Sequence, residues 1–359
     1  MRRLLTLTIA LLLPTAAFAN PQEVTTATPS IGLLLPLSGQ YAALGTDVQQ
    51  GIEIAARELP PNLPLNLRFA DSRADPSTSI AEFRKLAHAE KIIGAFAFRG
   101  PVGMAINPIS RAHQIPLLGG VGNKEFTAQN EYAFQMWPPS DREGAFLATQ
   151  IARLGLKRIA LLTAQDDWPI SVSDGFRGAA VHNGLEIEYD QETLPSEVDW
   201  RSQISRVKQK RPDAIVLNLS LHQIGPCLRQ IRDAGLQAPV FSNFWAGKKE
   251  VIIAAGSAAD GMRFVEISTN YDKLKVDLAA RFQANPSGAT LSGYVAMHTL
   301  GQALQGLKDT TTRGLYDRLL SLSQIQTPNG TFTIHNRIVD FPLTIRVIRN
   351  GEISDPTPL

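Results

Sequence analysis

One cysteine, Cys227, stands in 359 residues. No internal disulfide can therefore staple the chain, and its stability has to come from apolar cores. The cysteine lies in "IGPCLRQIRDAGL", where Ile224, Cys227, Leu228 and Ile231 share one helical face. With no base or cation beside it to lower its pKa, it reads as a core thiol rather than a nucleophile. Catalytic signatures are missing as well: no H-E-x-x-H, no G-x-S-x-G, no Walker A loop and no C-x-x-C. The six histidines (His88, His113, His182, His222, His298, His335) show no ligand spacing, so no metal and no cofactor is expected. An excess of charge of one sign is lacking too. The formal charge is +2, which argues for neither nucleic acid nor an anionic membrane surface as partner. Two fragments imitate chemistry without carrying it. "GGVGN" (119–123) lacks the third glycine of a dinucleotide fingerprint and follows the fourth strand, so it reads as a tight turn. Asp166-Asp167 follows a strand directly and reads as a loop cap before an acid/base pair.

What is present begins with "MRRLLTLTIALLLPTAAFA": a basic start, a short apolar run, and A-x-A before Asn20. This is the pattern of a cleaved secretory signal peptide over 1–19, hence a periplasmic destination. Cleavage removes Arg2 and Arg3, so the charge of +2 falls to zero. No cysteine follows the apolar run, which excludes a lipid anchor. Beyond a polar stretch, short apolar runs alternate with amphipathic segments. "IGLLLPL", "LNLRFAD", "IIGAFAF" and "IPLLGG" read as strands with helices between them. Asp75-Pro76 supplies an N-cap and a first-turn proline for the second helix.

The order then repeats about 125 residues later: "RIALLTA", "LEIEYDQETL", "AIVLNL" and "PVFSN" again alternate with helices. This is α/β architecture, two Rossmann-like parallel-sheet lobes. Helices near 273–284, 291–306 and 313–322 and two further strand-like runs remain, so the chain is expected to cross back and finish each lobe. Crossings are expected at 137–141, 264–268 and 326–330. They divide the mature chain into lobe 1 (29–138 plus 268–326) and lobe 2 (139–267 plus 327–359), joined by a three-stranded hinge.

Open α/β sheets bind ligands beyond the carboxyl ends of their strands. In two facing lobes those ends are the loops 36–45, 99–103, 119–123, 164–169, 220–223 and 243–247. Glycines there allow close approach to backbone N–H groups, Trp168, Phe244 and Trp245 supply apolar walls, and Arg99 is the one cation of the set. The candidate ligand-binding residues are Leu44, Arg99, Gly100, Gly120, Gly122, Trp168, Ser220 and Trp245. Such a cleft suits a small molecule with an apolar body and an anionic end. With Arg99 turned outward, a neutral amide would suit it instead.

The chain resembles the type I periplasmic substrate-binding proteins of ABC importers, the leucine/isoleucine/valine-binding family. The resemblance rests on "IGLLLPLSGQYAALGTDVQQGIEIAARE", "DSRADPS", "NPISRAHQIPLL", "LGLKRIALLTAQDDW" and "RPDAIVLNLSLHQIGPCLRQIRDAGLQAPVF". It implies a bilobed fold that closes like a hinge on an amino-acid-like ligand and delivers it to an inner-membrane permease, without catalysis and as a monomer. A sensor of the same fold, feeding a receptor or kinase, is the alternative.

The ligand positions depart from the family. Its carboxylate-holding serine falls at Gly100, its threonine at Gly122 and its tyrosine at Ser220. The aromatic at Trp168 is kept in kind, but the ammonium-binding glutamate falls at about Trp245. Two cysteines that form a disulfide in some members fall at Ala74 and Arg99. A guanidinium has appeared where the hydroxyls are gone. The residues therefore favour a small carboxylate without a required ammonium, aromatic or aliphatic, over a branched-chain amino acid.

Overall fold

The computed structural model describes residues 28–63, 65–307 and 309–356; the expected signal peptide, 1–19, lies outside them. The first half-lobe runs β1 (Ser30–Leu35), α1 (Ala42–Glu58), β2 (Asn66–Asp71), α2 (Pro76–His88), β3 (Gly94–Phe98), α3 (Gly100–Ala112), β4 (Leu117–Gly120), α4 (Glu125–Ala128) and β5 (Ala133–Gln135). The chain then crosses and continues with α5 (Ser140–Arg153), β6 (Arg158–Ala164), α6 (Asp167–His182), β7 (Glu186–Thr193), α7 (Arg201–Lys210), β8 (Ala214–Asn218), α8 (Leu221–Asp233), β9 (Val240–Ser242), α9 (Lys249–Ala255) and β10 (Arg263–Ile267). It returns through α10 (Asp272–Phe282), α11 (Gly288–Leu304), α12 (Thr312–Ser321), β11 (Gln324–Thr327), β12 (Gly330–His335) and β13 (Ile338–Val339), and ends with β14 (Leu343–Arg349) and β15 (Glu352–Ser354).

The strands form two sheets, β11-β12-β13-β5-β4-β3-β1-β2 and β15-β14-β10-β9-β8-β6-β7. In each, five parallel strands take the order 2-1-3-4-5. Antiparallel β14 and β15 complete one edge of the second sheet, while in the first β13 adds parallel to β5 and β12 and β11 follow antiparallel. The strand order therefore reverses between β1 and β3 in one lobe and between β6 and β8 in the other. Those reversals open the crevices in which doubly wound sheets hold ligands.

The first crossing falls at 136–139, and the second at 268–271 rather than 264–268, because Arg263–Ile267 is β10, paired with β9 and β14 in the second sheet. The third does not fall at 326–330. Residues 330–339 stay with the first sheet, because β12 pairs antiparallel with β11 and β13 pairs with β5. The chain leaves only after Val339, so 327–339 belong with the first sheet rather than the second lobe. "TPNG" is a hairpin turn rather than a crossing: the Thr327 hydroxyl donates to the Gly330 carbonyl, and Gly330 has φ +123°.

Local signals act as the residues demand. Asp75 caps α2 by accepting the Thr78 N–H at 2.7 Å, with Pro76 in the first turn. Cys227 is fully buried among Ile224, Leu228 and Ile231, and burial pushes its thiol pKa up. Helix α11 is buried along almost its entire length and packs on α1 through a polar knot at Glu58. The Glu58 carboxylate accepts from Tyr294 Oη (2.6 Å) and Lys273 Nζ (2.6 Å) and pairs with His298 Nε2 (2.9 Å).

Burial alone would raise the Glu58 pKa, but the bonds from His298, Lys273 and Tyr294 outweigh it and bring it down to about 2. A carboxylate held below its ordinary value of 4.5 stabilises the fold above that pH and loses this effect as the pH falls towards 2. Glu58→Gln should therefore cost on the order of 1–3 kcal/mol at pH 7, because Lys273, Tyr294 and His298 lose a charged acceptor and are left one oxygen between them. It should also flatten the decline of the melting temperature between pH 5 and about 2, read by thermal denaturation across that range.

Candidate ligand-binding site

All eight candidate residues line a single cavity of about 360 Å³ between the lobes. Leu44 comes from the start of α1, Arg99 and Gly100 from the end of β3, and Gly120 and Gly122 from the end of β4. Trp168 opens α6 after β6, Ser220 caps α8 after β8, and Trp245 sits in the 3-10 turn Phe244–Gly247 after β9. Every one stands at the carboxyl end of a parallel strand or in the first turn that follows.

The walls are aromatic from both lobes. The Trp168 and Trp245 rings meet edge-to-face at 5.5 Å, and Tyr41 lies 6.3 Å from Trp245 across the cleft. Trp137, on the first crossing, bridges Phe98 at 5.8 Å and Phe244 at 5.1 Å. Tyr41 and Trp137 were not singled out from sequence. Tyr41 lies inside the loop 36–45 and Trp137 opens the expected crossing 137–141, a helix entrance and a linker, where an aromatic normally reads as packing.

Arg99 closes the first-lobe side. Its guanidinium carbon lies 3.4 Å from the Tyr41 ring centroid and 5.8 Å from that of Trp245. Its Nη1 is buried with no hydrogen-bond partner, and among the described residues no carboxylate forms an ion pair with this side chain. The backbone is held in place as well: Arg99 N–H donates to the Gly120 carbonyl at 3.1 Å, and its own carbonyl accepts from Gly103 at 2.9 Å. The price is a φ of +89° and ψ of +143°, a conformation that glycine adopts and side chains avoid.

The glycines have distinct steric reasons. At Gly122 a Cβ would lie 2.6 Å from Ser140 Oγ and 3.3 Å from the Trp168 indole, so Ser140 first and the tryptophan second crowd the room a threonine would need. At Gly120 a Cβ would strike the Phe98 ring at 2.3 Å. At Gly100 nothing lies within 4 Å, so the missing side chain adds open space beside Arg99. Ser220 keeps its Oγ buried and without a partner, and its N–H is held by Gln223 Oε1 at 3.2 Å. Asp166 is the cap of α6, accepting from Asp167 N–H at 3.0 Å, and both aspartates stand at the exposed rim.

Two α/β lobes of like strand order, crossed three times by the chain and enclosing an aromatic cavity, define a bilobed binding protein. Among the described residues no group of His, Cys, Asp and Glu could hold a metal ion. A family model of periplasmic binding proteins matches residues 28–351, and the chain belongs to that family. The Leu/Ile/Val-binding protein homolog 3 of Brucella melitensis is 22% identical over 318 residues, covering 85% of this chain and 86% of that protein. The crystal structure of a leucine-binding protein from Thermotoga maritima superposes with a TM-score of 0.82 at 20% identity, covering 92% of this chain and 98% of the other. A solute-binding protein of an ABC transporter from R. palustris, solved in complex with benzoate, gives 0.77 at 19% identity, with 90% and 94% covered.

Proposed function

We propose that this protein captures a small organic carboxylate between its lobes in the periplasm and hands it to an ABC importer. The observation that carries the ligand class is Arg99: a guanidinium with an unpartnered buried nitrogen, held between aromatic rings. A desolvated cation of this kind is compensated by an anion that accepts two parallel hydrogen bonds. A planar acid such as benzoate meets it with a carboxylate and lays its ring between Tyr41, Trp168 and Trp245. Ser220 Oγ and the backbone around Gly100 and Gly122 offer the remaining polar contacts. Trp245 stands at the place of the family's glutamate, and the carboxylates that line the cavity, Asp166 and Asp167, lie at its exposed rim, so an α-ammonium held beside Trp245 would lack that glutamate. The benzoate-bound relative supports this reading by fold alone.

Closure in this reading turns 28–138 with 268–339 against the rest about the three crossings, as hinge-type binding proteins do. The test is native mass spectrometry of the purified protein, followed by thermal shifts with benzoate, hydroxybenzoates, aliphatic acids, benzamide, leucine and valine. An acid at a hundred times its Kd should add about 2.7 kcal/mol to the stability of the folded state. Stabilisation by leucine or valine without stabilisation by the acids would overturn the proposal. Delivery is tested by uptake of the radiolabelled acid, which should vanish when this chain is deleted.

A further inference from the structure

Behind the aromatic wall lies a cluster of carboxyls that ligand contact does not require. Glu143, in the first turn of α5, is only 4% exposed, and its Oε1 accepts the Phe244 N–H at 3.0 Å. That bond anchors the turn carrying Trp245. A small void joins Glu143 to Glu266 on β10. It is closed by Trp137 and Pro138 of the first crossing, Phe244, Ile267 at the end of β10 and Leu343 at the start of β14, the two strand ends that adjoin the other crossings. Glu266 Oε1 is buried without a hydrogen-bond partner.

The first turn of α11, which belongs to the opposite sheet's lobe, presses on this spot: a Cβ at Gly288 would lie 3.3 Å from both Glu266 Oε1 and the Phe244 ring. Beside it, Ser287 Oγ donates to Asp47 Oδ2 of α1 at 2.7 Å. Lys248 lies over the Phe244 ring at 3.9 Å.

We propose that Glu143 and Glu266 are positioning residues of a proton-sensitive latch, which couples closure on the ligand to proton uptake at the hinge. The inference rests on the carboxylate-capture reading for its ligand arm only. The first turn of α11 covers Glu266 from the opposite lobe, so opening the hinge would hydrate the void that Glu266 shares with Glu143, whereas closure strips that water away. Burial raises Glu143 to about 8, against the Phe244 bond that lowers it and with Glu266 adding to the rise. Burial raises Glu266 to about 7, with Lys248 and Arg346 of β14 opposing it and Asp47 of α1 assisting. Asp47 is itself raised by burial, against Ser287 and Lys248 and with Glu250 assisting. Lys248 is pulled down by burial, against Glu266, Asp47 and Glu250. Helix α11 contributes its first-turn backbone and Ser287, not a charge.

The sign follows from linkage. A carboxyl whose closed-form pKa is raised favours closure fully below its open-form value, here 4.5, and loses that advantage as the pH climbs through about 7 and 8. A carboxylate ligand does not titrate in that window.

The test uses the full mature chain with benzoate as probe. Calorimetric Kd values are taken from pH 6 to 9, and tryptophan fluorescence and the radius of gyration of the ligand-free protein are followed over the same range. The wild-type protein should bind about tenfold or more weakly at pH 8.5 than at pH 6.5 and expand over that interval. Glu143→Gln and Glu266→Gln, which keep the shape and the acceptor, should flatten both profiles. Should Glu143→Gln fail to fold, Glu266→Gln carries the comparison. If benzoate binds at no pH but expansion with rising pH is seen in the wild type and not in the variants, the latch stands and the ligand assignment falls. A wild-type profile independent of pH in both readouts, or variants that keep the full slope, overturns the latch.

Discussion

Arg99→Ala should weaken binding of a carboxylate ligand by two to three orders of magnitude while leaving the ligand-free protein as stable as before. Truncating one partner of a buried, hydrogen-bonded charge pair costs about 2–5 kcal/mol, or about 30- to 5,000-fold in Kd. The unliganded protein has little to lose. Nη1 makes no hydrogen bond, so losing the stacking on Tyr41 is offset by removing a desolvated, unpartnered guanidinium nitrogen, while alanine keeps the backbone strain at φ +89°. Strain of this kind costs about 1–3 kcal/mol and persists where function demands it. Arg99→Gly sharpens the test, since glycine adopts the same backbone freely: its melting temperature should rise while affinity is lost. Calorimetry and thermal melting of the two variants measure both halves. An affinity that survives either substitution removes Arg99 from the site.

The second large effect concerns the scaffold that aims Trp168. Helices α5 and α6 touch backbone to backbone at two glycines. A Cβ on Gly144 would lie 1.8 Å from the Val172 carbonyl oxygen, and one on Gly175 would lie 1.9 Å from that of Asp141. No rotamer change relieves a collision with main chain, so the helices must part. Gly144→Leu or Gly175→Leu should therefore cost about 3 kcal/mol or more, at the top of the range for overpacking. Gly178→Ala is the control, on the same helix with nothing within 4 Å, and should be neutral or slightly stabilising. Denaturant titration of the three variants reads the difference. Equal stability of Gly175→Leu and Gly178→Ala would contradict the close approach of α5 and α6.

Much of this architecture was legible along the chain. Period-2 and period-3.6 patterning marks most of the strands and helices of both lobes, and the repeat near 125 residues marks the duplication. Strand ends, glycines and the lone cleft cation led to eight residues that share one cavity. The short strands were not legible. Ala133–Gln135 and Ile338–Val339 are too brief to show a period, and they pair only because β4 and β12 offer an edge. For the same reason the last crossing was placed too early: "TPNG" is equally a hairpin turn or a linker until its partner strand is known.

By itself the sequence determined which residues want burial, where helices begin, and that a guanidinium follows directly on the apolar run 94–98. Those are local properties, set by side-chain chemistry and spacing. The tertiary structure decided that Tyr41 and Trp245, 204 positions apart, share the Arg99 guanidinium. It also decided that Gly122 makes room for Ser140 and Trp168, and that Glu143 and Glu266 stand together beneath the hinge. Contacts of that range depend on how two sheets are set against each other, and no window of sequence contains both partners.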